Sequence, residues 1–304
     1  MKISPMYHNP VLLKEAVDGL DIKADGVYVD VTFGGGGHSK EILKRLGPKG
    51  KLLAFDQDED ALANKLEDER FTLINENFRY IRQFLKFYGI QKVDGILADF
   101  GVSSHQFDRA ERGFSTRFDA DLDMRMSKKS PVSAYDVVNS YSYDDLRRVL
   151  FQYGDLRNAN AMANTIIESR AMAPIKTSNQ LKEVLHRFLP KHKEHKILAQ
   201  IYQAIRIEVN QEVAVIKEFL EQVPELLGPE GRLSVISYHS LEDRLVKRFI
   251  RSGRFEGEPE KDFYGNITVP LKKVGGLIVP SKEEIATNNR ARSAKLRLAE
   301  RNSS

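Results

Sequence analysis

The chain has 304 residues, with 47 lysine and arginine residues against 43 aspartate and glutamate residues, which gives a net charge of +4. It contains no cysteine, which excludes a disulfide framework, a thiol nucleophile, an iron–sulfur cluster and any zinc site built on thiolates. Because the sequence has neither a secretory signal core nor a run of about 20 apolar residues, we expect a cytoplasmic protein of about two domains without a membrane segment.

Strand and helix patterns alternate through the first hundred residues. Apolar residues alternate with polar ones from Val27 to Thr32, which is the period of a β-strand. Further strands are predicted at 51–56, 70–74 and 93–100, with helices between them at 39–46, 61–66 and 80–88. This order predicts an α/β fold of the Rossmann-like type, with a parallel, right-handed wound sheet.

Four glycines at 34–37 follow the first strand, where a turn lets the backbone approach a ligand. Asp56 lies 19 residues beyond Gly37, close to the spacing expected for an acid that holds ribose hydroxyls. Ser39 stands where a dinucleotide-binding loop needs its third glycine, which argues against NAD. Asp30 would repel a pyrophosphate but attract an ammonium group. The pattern therefore favours S-adenosylmethionine, with turn glycines in an ordinary α/β sheet as the structural alternative.

The next convincing strand is 231–238, and mostly helical patterns fill the sequence before it. We interpret 104–195 as an inserted helical domain, and 1–103 with 196–304 as the sheet domain. A long amphipathic helix, either continuous or interrupted, is expected at 197–227.

Polar residues cluster at three places: 99–106 at the end of the fourth strand, 112–126 in the segment that leaves it, and 239–244 after the late strand. The first and third belong to the same edge of the sheet if both strands are parallel. For His239 and Ser240 the alternative is a helix cap without a catalytic role.

The C-terminal segment 270–304 carries eight basic and three acidic residues. A basic segment of this kind fits contact with a polyanion such as nucleic acid, and a solvated tail is the alternative. Leu296 and Leu298 alternate with polar residues, which predicts a late edge strand.

Together these motifs resemble one family, the bacterial methyltransferases that modify N4 of a cytosine in the decoding region of 16S ribosomal RNA. The similarity runs through most of the chain. The matching segments are 8–17, 34–38, Asp56, Asn77 with Phe78, 99–106, 111–115, 122–126, 202–207 with 209–210, 237–248 and 289–297.

The resemblance implies a Rossmann-like class I methyltransferase domain with a helical insert that recognises cytidine. It implies an enzyme that transfers a methyl group from S-adenosyl-L-methionine, with 16S ribosomal RNA or the small ribosomal subunit as its partner. The cofactor contacts that it implies are Gly36, Gly37, His38, Asp56, Phe78, Asp99 and Gln106.

Strand-end position suggests the catalytic residues. We expect Asp99, or the carbonyl groups after it, to accept the N4 proton, with a pocket lined by Ser103, Ser104, His239 and Ser240. For RNA, we expect stacking of the target base on Phe114, Met124 or Met126. The expected phosphate contacts are Arg112, Arg125, Arg290 and Arg292, and core packing of the insert is the alternative for the residues of 112–126.

No metal is required by this chemistry, and the number of copies stays open, with a homodimer as one option. Three rival functions remain: an NAD-dependent oxidoreductase, a non-catalytic RNA-binding assembly factor, and a methyltransferase acting on DNA or a small molecule. The glycine spacing argues against the oxidoreductase. The retained Asp56 and Asp99 argue against the assembly factor, and the Asp-Phe-Gly strand end argues against a methyltransferase acting on DNA or a small molecule.

Overall fold

A computed structural model describes residues 10–103, 106–107, 109–257, 265 and 269–302. The chain divides into two compact units. The sheet unit comprises Met1–Gly101 and Ala214–Ser304, and the insert comprises Val102–Val213. The insert therefore ends later than the expected residue 195. The helix expected at 197–227 is two helices, of which the first (Glu194–Val209) belongs to the insert and the second (Glu212–Leu226) returns the chain to the sheet.

A seven-stranded sheet forms the centre of the sheet unit, in the order β3-β2-β1-β4-β5-β7-β6. Its strands are β1 (Val27–Asp30), β2 (Lys51–Phe55), β3 (Phe71–Ile74), β4 (Val93–Asp99), β5 (Leu227–Ser237), β6 (Leu271–Ile278) and β7 (Lys295–Arg301). Strands β1 to β5 pair in parallel, and β7 is antiparallel to both of its neighbours. The parallel strands end at one edge of the sheet, which we call the carboxyl edge, and ligands bind there in open α/β sheets.

Helices connect the strands of the sheet unit. They are α1 (Leu13–Asp18), α2 (Gly37–Arg45), α3 (Ile81–Phe87), α9 (Glu212–Leu226), which begins at the end of the insert, α10 (Ser240–Ser252) and α11 (Lys282–Thr287). Short 3₁₀ turns at Glu59–Asn64, Phe78–Tyr80 and Asn289–Ser293 complete the connections. The apolar core lies on both faces of the sheet, which is why the residues of the central strands are buried almost without interruption.

The insert has a separate hydrophobic core. Its helices are α4 (Ala134–Ser140), α5 (Tyr143–Gln152), α6 (Ala159–Met172), α7 (Ser178–Val184) and α8 (Glu194–Val209). Capping boxes at Ser133 and Thr177 begin α4 and α7, because each side chain accepts a hydrogen bond from the first turn. Ser142 caps α5 in the way that the sequence predicts.

Two expectations about the end of the chain need correction. β6 (Leu271–Ile278) was not predicted, because its exposed lysines and glycines give no apolar alternation. β7 is a strand, as predicted, but it lies between β5 and β6 rather than at the edge. The fold class itself is confirmed: a Rossmann-like α/β sheet with an inserted helical unit.

Among the described residues, none of the helices has the length and apolar character that crossing a membrane would require.

Candidate active site

The glycine loop (34–37) connects β1 to α2 at the carboxyl edge. Gly36 has a φ of 75°, in the left-handed region, and a side chain there would lie 2.9 Å from the Phe33 ring. A side chain at Gly37 would collide with Pro10. Among the described residues, no atom lies within 4 Å of the place where a Cβ of Gly35 would be, so the loop presents bare backbone on that side.

Asp56 follows β2 and connects it to the glycine loop. One carboxylate oxygen accepts a hydrogen bond from the backbone N–H of Gly34 at 2.8 Å, and the other accepts one from Asp58 at 2.9 Å. Burial raises the pKa of Asp56 to about 6, against the lowering effect of these two hydrogen bonds. Each oxygen keeps a second lone pair, so the carboxylate is able to accept hydrogen bonds from the two hydroxyls of a ribose.

Asp30, at the end of β1, is fully buried. Its carboxylate accepts hydrogen bonds from the Ser39 hydroxyl at 2.7 Å and from the Thr32 backbone at 3.1 Å. Burial raises its pKa. The sequence suggested that Asp30 pairs with an ammonium group, whereas in this structure its carboxylate joins the two ends of the glycine loop.

Asp99 is the last residue of β4, and Tyr238 follows the neighbouring strand β5. The Tyr238 hydroxyl donates a hydrogen bond of 2.7 Å to Asp99 Oδ1. Burial raises the pKa of Tyr238 well above its usual value, so the tyrosine keeps its proton and the carboxylate is the acceptor. Gly101 has a φ of 114°, and a side chain there would lie 3.2 Å from the Tyr238 ring.

Two further side chains lie next to Asp99. The Thr32 hydroxyl oxygen accepts a hydrogen bond from the Asp99 backbone at 2.6 Å. His38, on α2, has its Nδ1 3.8 Å from Asp99 Oδ2 and its Nε2 3.1 Å from the Val11 carbonyl oxygen. Since a carbonyl oxygen only accepts, His38 Nε2 carries a proton.

The electrostatic surroundings of Asp99 suit a proton acceptor. Burial raises its pKa to about 6, and the nearby His38 and the Tyr238 hydroxyl oppose that rise. At pH 7 the carboxyl is therefore ionised, yet more basic than an ordinary aspartate.

Phe78 lies in the 3₁₀ turn that follows β3. Its ring stacks on Phe100 with 5.9 Å between centroids and meets Phe219 edge-on at 5.3 Å. The aromatic ring thus forms one apolar wall at the carboxyl edge, beside the strand that ends in Asp99.

His239 and Ser240 begin α10. The His239 ring caps the helix, because its Nδ1 accepts a hydrogen bond from the Glu242 backbone at 3.4 Å. In return, the Glu242 carboxylate accepts one from the His239 backbone. His239 Nε2 also lies 2.9 Å from Glu242 Oε1. This is the capping arrangement that the sequence offered as the alternative, and a role of His239 at the target base stays a prediction. Ser240 is exposed in the first turn.

Ser103 and Gln106 belong to the insert. They bond to each other, since Gln106 Oε1 accepts from the Ser103 backbone at 3.1 Å and Ser103 Oγ accepts from the Gln106 backbone at 3.2 Å. Ser104 lies outside the described residues. The roles of these three residues at the cofactor or the base stay predictions.

The RNA contacts expected at 112–126 need correction. Phe114 and Met124 are buried in the core of the insert, at 4% and 0% exposure, so neither offers a surface on which a base stacks. Met126 belongs to the same core. The Arg112 guanidinium is also buried and donates to the carbonyl groups of Arg125 and Met126. Core packing, the alternative reading, accounts for these side chains.

Arg125 is half-buried and forms a two-pronged pair with Asp123, at 2.8 and 3.0 Å. It also donates to the Ser130 carbonyl. Its guanidinium therefore closes a turn of the insert. Arg292 is exposed and Arg290 half-buried in the 3₁₀ turn before β7, and their role in RNA binding stays a prediction.

Sequence reasoning missed Tyr238 and Thr32, which hold Asp99. Each is the last residue of a predicted strand, and that position at the carboxyl edge was the available signal.

The model of the MraW methylase family matches residues 5–302. The chain belongs to this family. A protein of Flavobacterium johnsoniae named ribosomal RNA small subunit methyltransferase H is 72% identical, over 97% of this chain and 98% of its own length. A protein with the same name from Christiangramia forsetii is 71% identical, over 98% of this chain and 99% of its own length. Another from Bacteroides thetaiotaomicron is 52% identical, over 97% of this chain and 97% of its own length.

As a member of the MraW methylase family, the chain is a methyltransferase that depends on S-adenosylmethionine. The residues at the carboxyl edge fit that cofactor: bare backbone at Gly35, free lone pairs on Asp56 for the ribose, and the apolar wall at Phe78. The family resemblance and the cofactor that the sequence suggested are thereby confirmed.

Proposed function

We propose that this protein transfers the methyl group of S-adenosylmethionine to the exocyclic N4 of a cytidine in 16S ribosomal RNA of the small subunit. The observation that carries the proposal is Asp99, a half-buried carboxylate held by Tyr238 at the carboxyl edge that also presents the glycine loop and Asp56. Relatives named as small-subunit rRNA methyltransferases support the same substrate.

Each group at the carboxyl edge has a part in this chemistry. S-adenosylmethionine, when bound, supplies an electrophilic methyl group on a sulfonium. The glycine loop offers backbone to the ligand and Asp56 accepts from the ribose, so the chain fixes the donor in place. Alignment of this kind is worth about 7–11 kcal/mol of a reaction barrier.

Asp99 compensates for the weak nucleophilicity of cytosine N4. The lone pair on cytosine N4 is delocalised into the ring, so an acceptor for one N4 proton favours the pyramidal nitrogen that attacks a methyl group. Tyr238 occupies Oδ1 of Asp99 and leaves Oδ2 for that proton. A pKa of about 6 keeps the carboxylate ionised at pH 7 and ready to accept.

The base must be unpaired or flipped out before N4 is accessible, since N4 of a paired cytosine donates to guanine. We assign recognition of the RNA to the insert together with basic surfaces of the sheet unit, and we place the reaction in the cytoplasm. No Lewis acid is needed, because the sulfonium methyl is already a strong electrophile. The homodimer that the sequence left open stays an untested expectation.

Analysis of the methylated nucleoside tests the proposal. Small subunits from a strain that lacks this protein are incubated with the purified protein and S-adenosylmethionine labelled in the methyl group, and the rRNA is digested to nucleosides. We expect label in N4-methylcytidine by mass spectrometry. Label only in 5-methylcytidine or in another nucleoside, or in none, would overturn the proposal.

A further inference from the structure

Helix α10 (Ser240–Ser252) has two sharply different faces. Val246, Phe249 and Ile250 are buried in the core of the sheet unit. Both acids of the helix are buried as well: Glu242 is 1% exposed and Asp243 is 8% exposed. The charge that the helix presents to solvent is therefore entirely basic.

Arg244, Lys247 and Arg251 form that basic face. Their spacing of three and four residues puts them on one side of the helix, and all three are exposed. Arg248, half-buried between them, donates to the Gly257 carbonyl. Within the described parts of the chain no acidic side chain forms an ion pair with Arg244, Lys247 or Arg251. We call these three residues the basic row.

The basic C-terminal segment, by contrast, uses part of its charge internally. Lys295 and Arg297 both contact Asp243, at 3.4 and 2.7 Å, and Arg301 donates to the Leu227 carbonyl. These side chains fasten β7 to α10 and β5. The positive charge that the sequence assigned to this segment is thus partly neutralised, while the basic row is not.

The position of the basic row relates it to the active site. α10 begins two residues after Tyr238, the residue that holds Asp99. At about 1.5 Å per residue, the row begins about 6 Å along the helix and extends a further 10 Å or so. A strand of RNA with its target base at the carboxyl edge continues on both sides of that base, so its backbone needs a cationic surface of this extent.

We propose that the basic row on α10 binds the phosphate backbone of the RNA substrate next to the target nucleotide. The inference rests on the proposed function for the identity of the polyanion. A protein partner fits this face less well, because no large apolar side chain of α10 is exposed among the three cations. Phosphates, by contrast, require only accessible cations.

The experiment compares two triple variants with the same loss of charge. The test variant is Arg244→Gln, Lys247→Gln and Arg251→Gln. The control is Lys49→Gln, Lys51→Gln and Lys86→Gln. It removes exposed lysines at the start of β2, which is the end of that strand away from the carboxyl edge, and on α3. For each protein, Kd for a fragment of small-subunit rRNA is measured over a range of KCl concentrations, together with Kd for S-adenosylhomocysteine and the rate of methyl transfer.

We expect the test variant to bind the RNA about 10- to 100-fold more weakly near 0.1 M salt, and the slope of log Kd against log salt to fall by about 2, one unit or less for each lost phosphate contact. The control should change Kd by about threefold or less. The affinity for S-adenosylhomocysteine should be unchanged in both, because the basic row does not touch the glycine loop or Asp56. Methyl transfer by the test variant should recover at high RNA concentration.

An unchanged salt slope in the test variant, or equal losses in both triples, would overturn the inference. So would RNA binding by the test variant that equals that of the wild type. If the wild-type protein binds RNA through the basic row but methylates no cytidine, the inference stands and the proposed function fails. The two failures are therefore separate.

Discussion

The acidic side chains of the carboxyl edge and of the insert differ in whether they pair with a cation. At the carboxyl edge, Asp30, Asp56 and Asp99 are held by hydroxyl and backbone groups, and among the described residues none of them pairs with a lysine or arginine; burial raises the pKa of all three. In the insert, burial also raises the pKa of Asp123, but the hydrogen bonds and charge of Arg125 outweigh it and lower the pKa overall. Buried charge without a counter-charge costs stability, so its concentration at one edge marks a functional site, while paired charge marks structure.

The strongest test of this comparison is Asp99→Asn. Asparagine keeps the acceptor for Tyr238 but does not take a proton, so we expect the rate of methyl transfer to fall about 100-fold or more. Binding of S-adenosylhomocysteine, measured by calorimetry, should change little. Asp94→Asn on the same strand is the matched control, because Asp94 lies near the other end of the sheet, where it accepts from the Val27 backbone and pairs with Lys23. Full turnover by Asp99→Asn would contradict the role of Asp99.

The same variant should be more stable than the wild type at neutral pH. The folded-state pKa of Asp99, about 6, lies above its ordinary value of 3.8, so the folded protein binds the proton more tightly and loses stability as pH rises between these values. Removing the carboxylate should then raise the free energy of unfolding by roughly 1–3 kcal/mol at pH 7. The gain should shrink as pH falls to 4, which urea unfolding at the two pH values measures. A constant gain would show another cause.

Asp56→Asn tests the second unpaired acid. A charged acceptor bonds hydroxyl groups about twice as strongly as a neutral one, so we expect S-adenosylhomocysteine to bind roughly tenfold more weakly or worse. The measurement is the calorimetric Kd at pH 7.5, where the carboxyl is ionised. Affinity equal to that of the wild type would mean that Asp56 serves only to hold the glycine loop.

Tyr238→Phe should have a smaller effect and a distinctive pH dependence. The hydroxyl lowers the pKa of Asp99, so its loss should move the acidic limb of the rate profile to higher pH and reduce the rate near pH 6.5 by about 3- to 10-fold. At pH 8.5 the variant should approach the wild-type rate. His38, Asp30 and Glu242 also act on Asp99 and are unchanged. Tyr28→Phe, which removes another buried tyrosine hydroxyl of the sheet, is the control, and an identical pH shift there would refute the specific role.

Arg125→Gln tests the other side of the comparison. Since Arg125 neutralises Asp123 and closes a turn, we expect a loss of about 1 kcal/mol of stability in the insert and a change in RNA affinity of twofold or less. Thermal unfolding and RNA binding at fixed salt measure the two effects. A large loss of RNA affinity with unchanged stability would restore Arg125 as a phosphate contact.

The sheet unit was largely predictable from the sequence. Parallel strands place their ends on one edge whatever the helices between them do, so Asp56 and Asp99 could be assigned to that edge from the strand pattern alone. What the pattern did not give was the partner of each side chain. Tyr238 is remote from Asp99 in sequence, and only the pairing of β4 with β5 brings them together.

The segment 112–126 was predicted less well, for a physical reason. It has little regular structure, so no periodicity shows which side chains face inward. Arg112 looked like a phosphate contact, but its guanidinium satisfies buried carbonyl groups of a turn. Met124 has a φ of 56° and no exposure, a conformation that the sequence does not signal.

A crystal structure with S-adenosylhomocysteine tests the central claim most directly. We predict that the nucleoside lies over the glycine loop, with its ribose hydroxyls bonded to Asp56 and its sulfur facing the side of the edge where Tyr238 holds Asp99. A ligand bound elsewhere, or a ribose without contact to Asp56, would contradict the account.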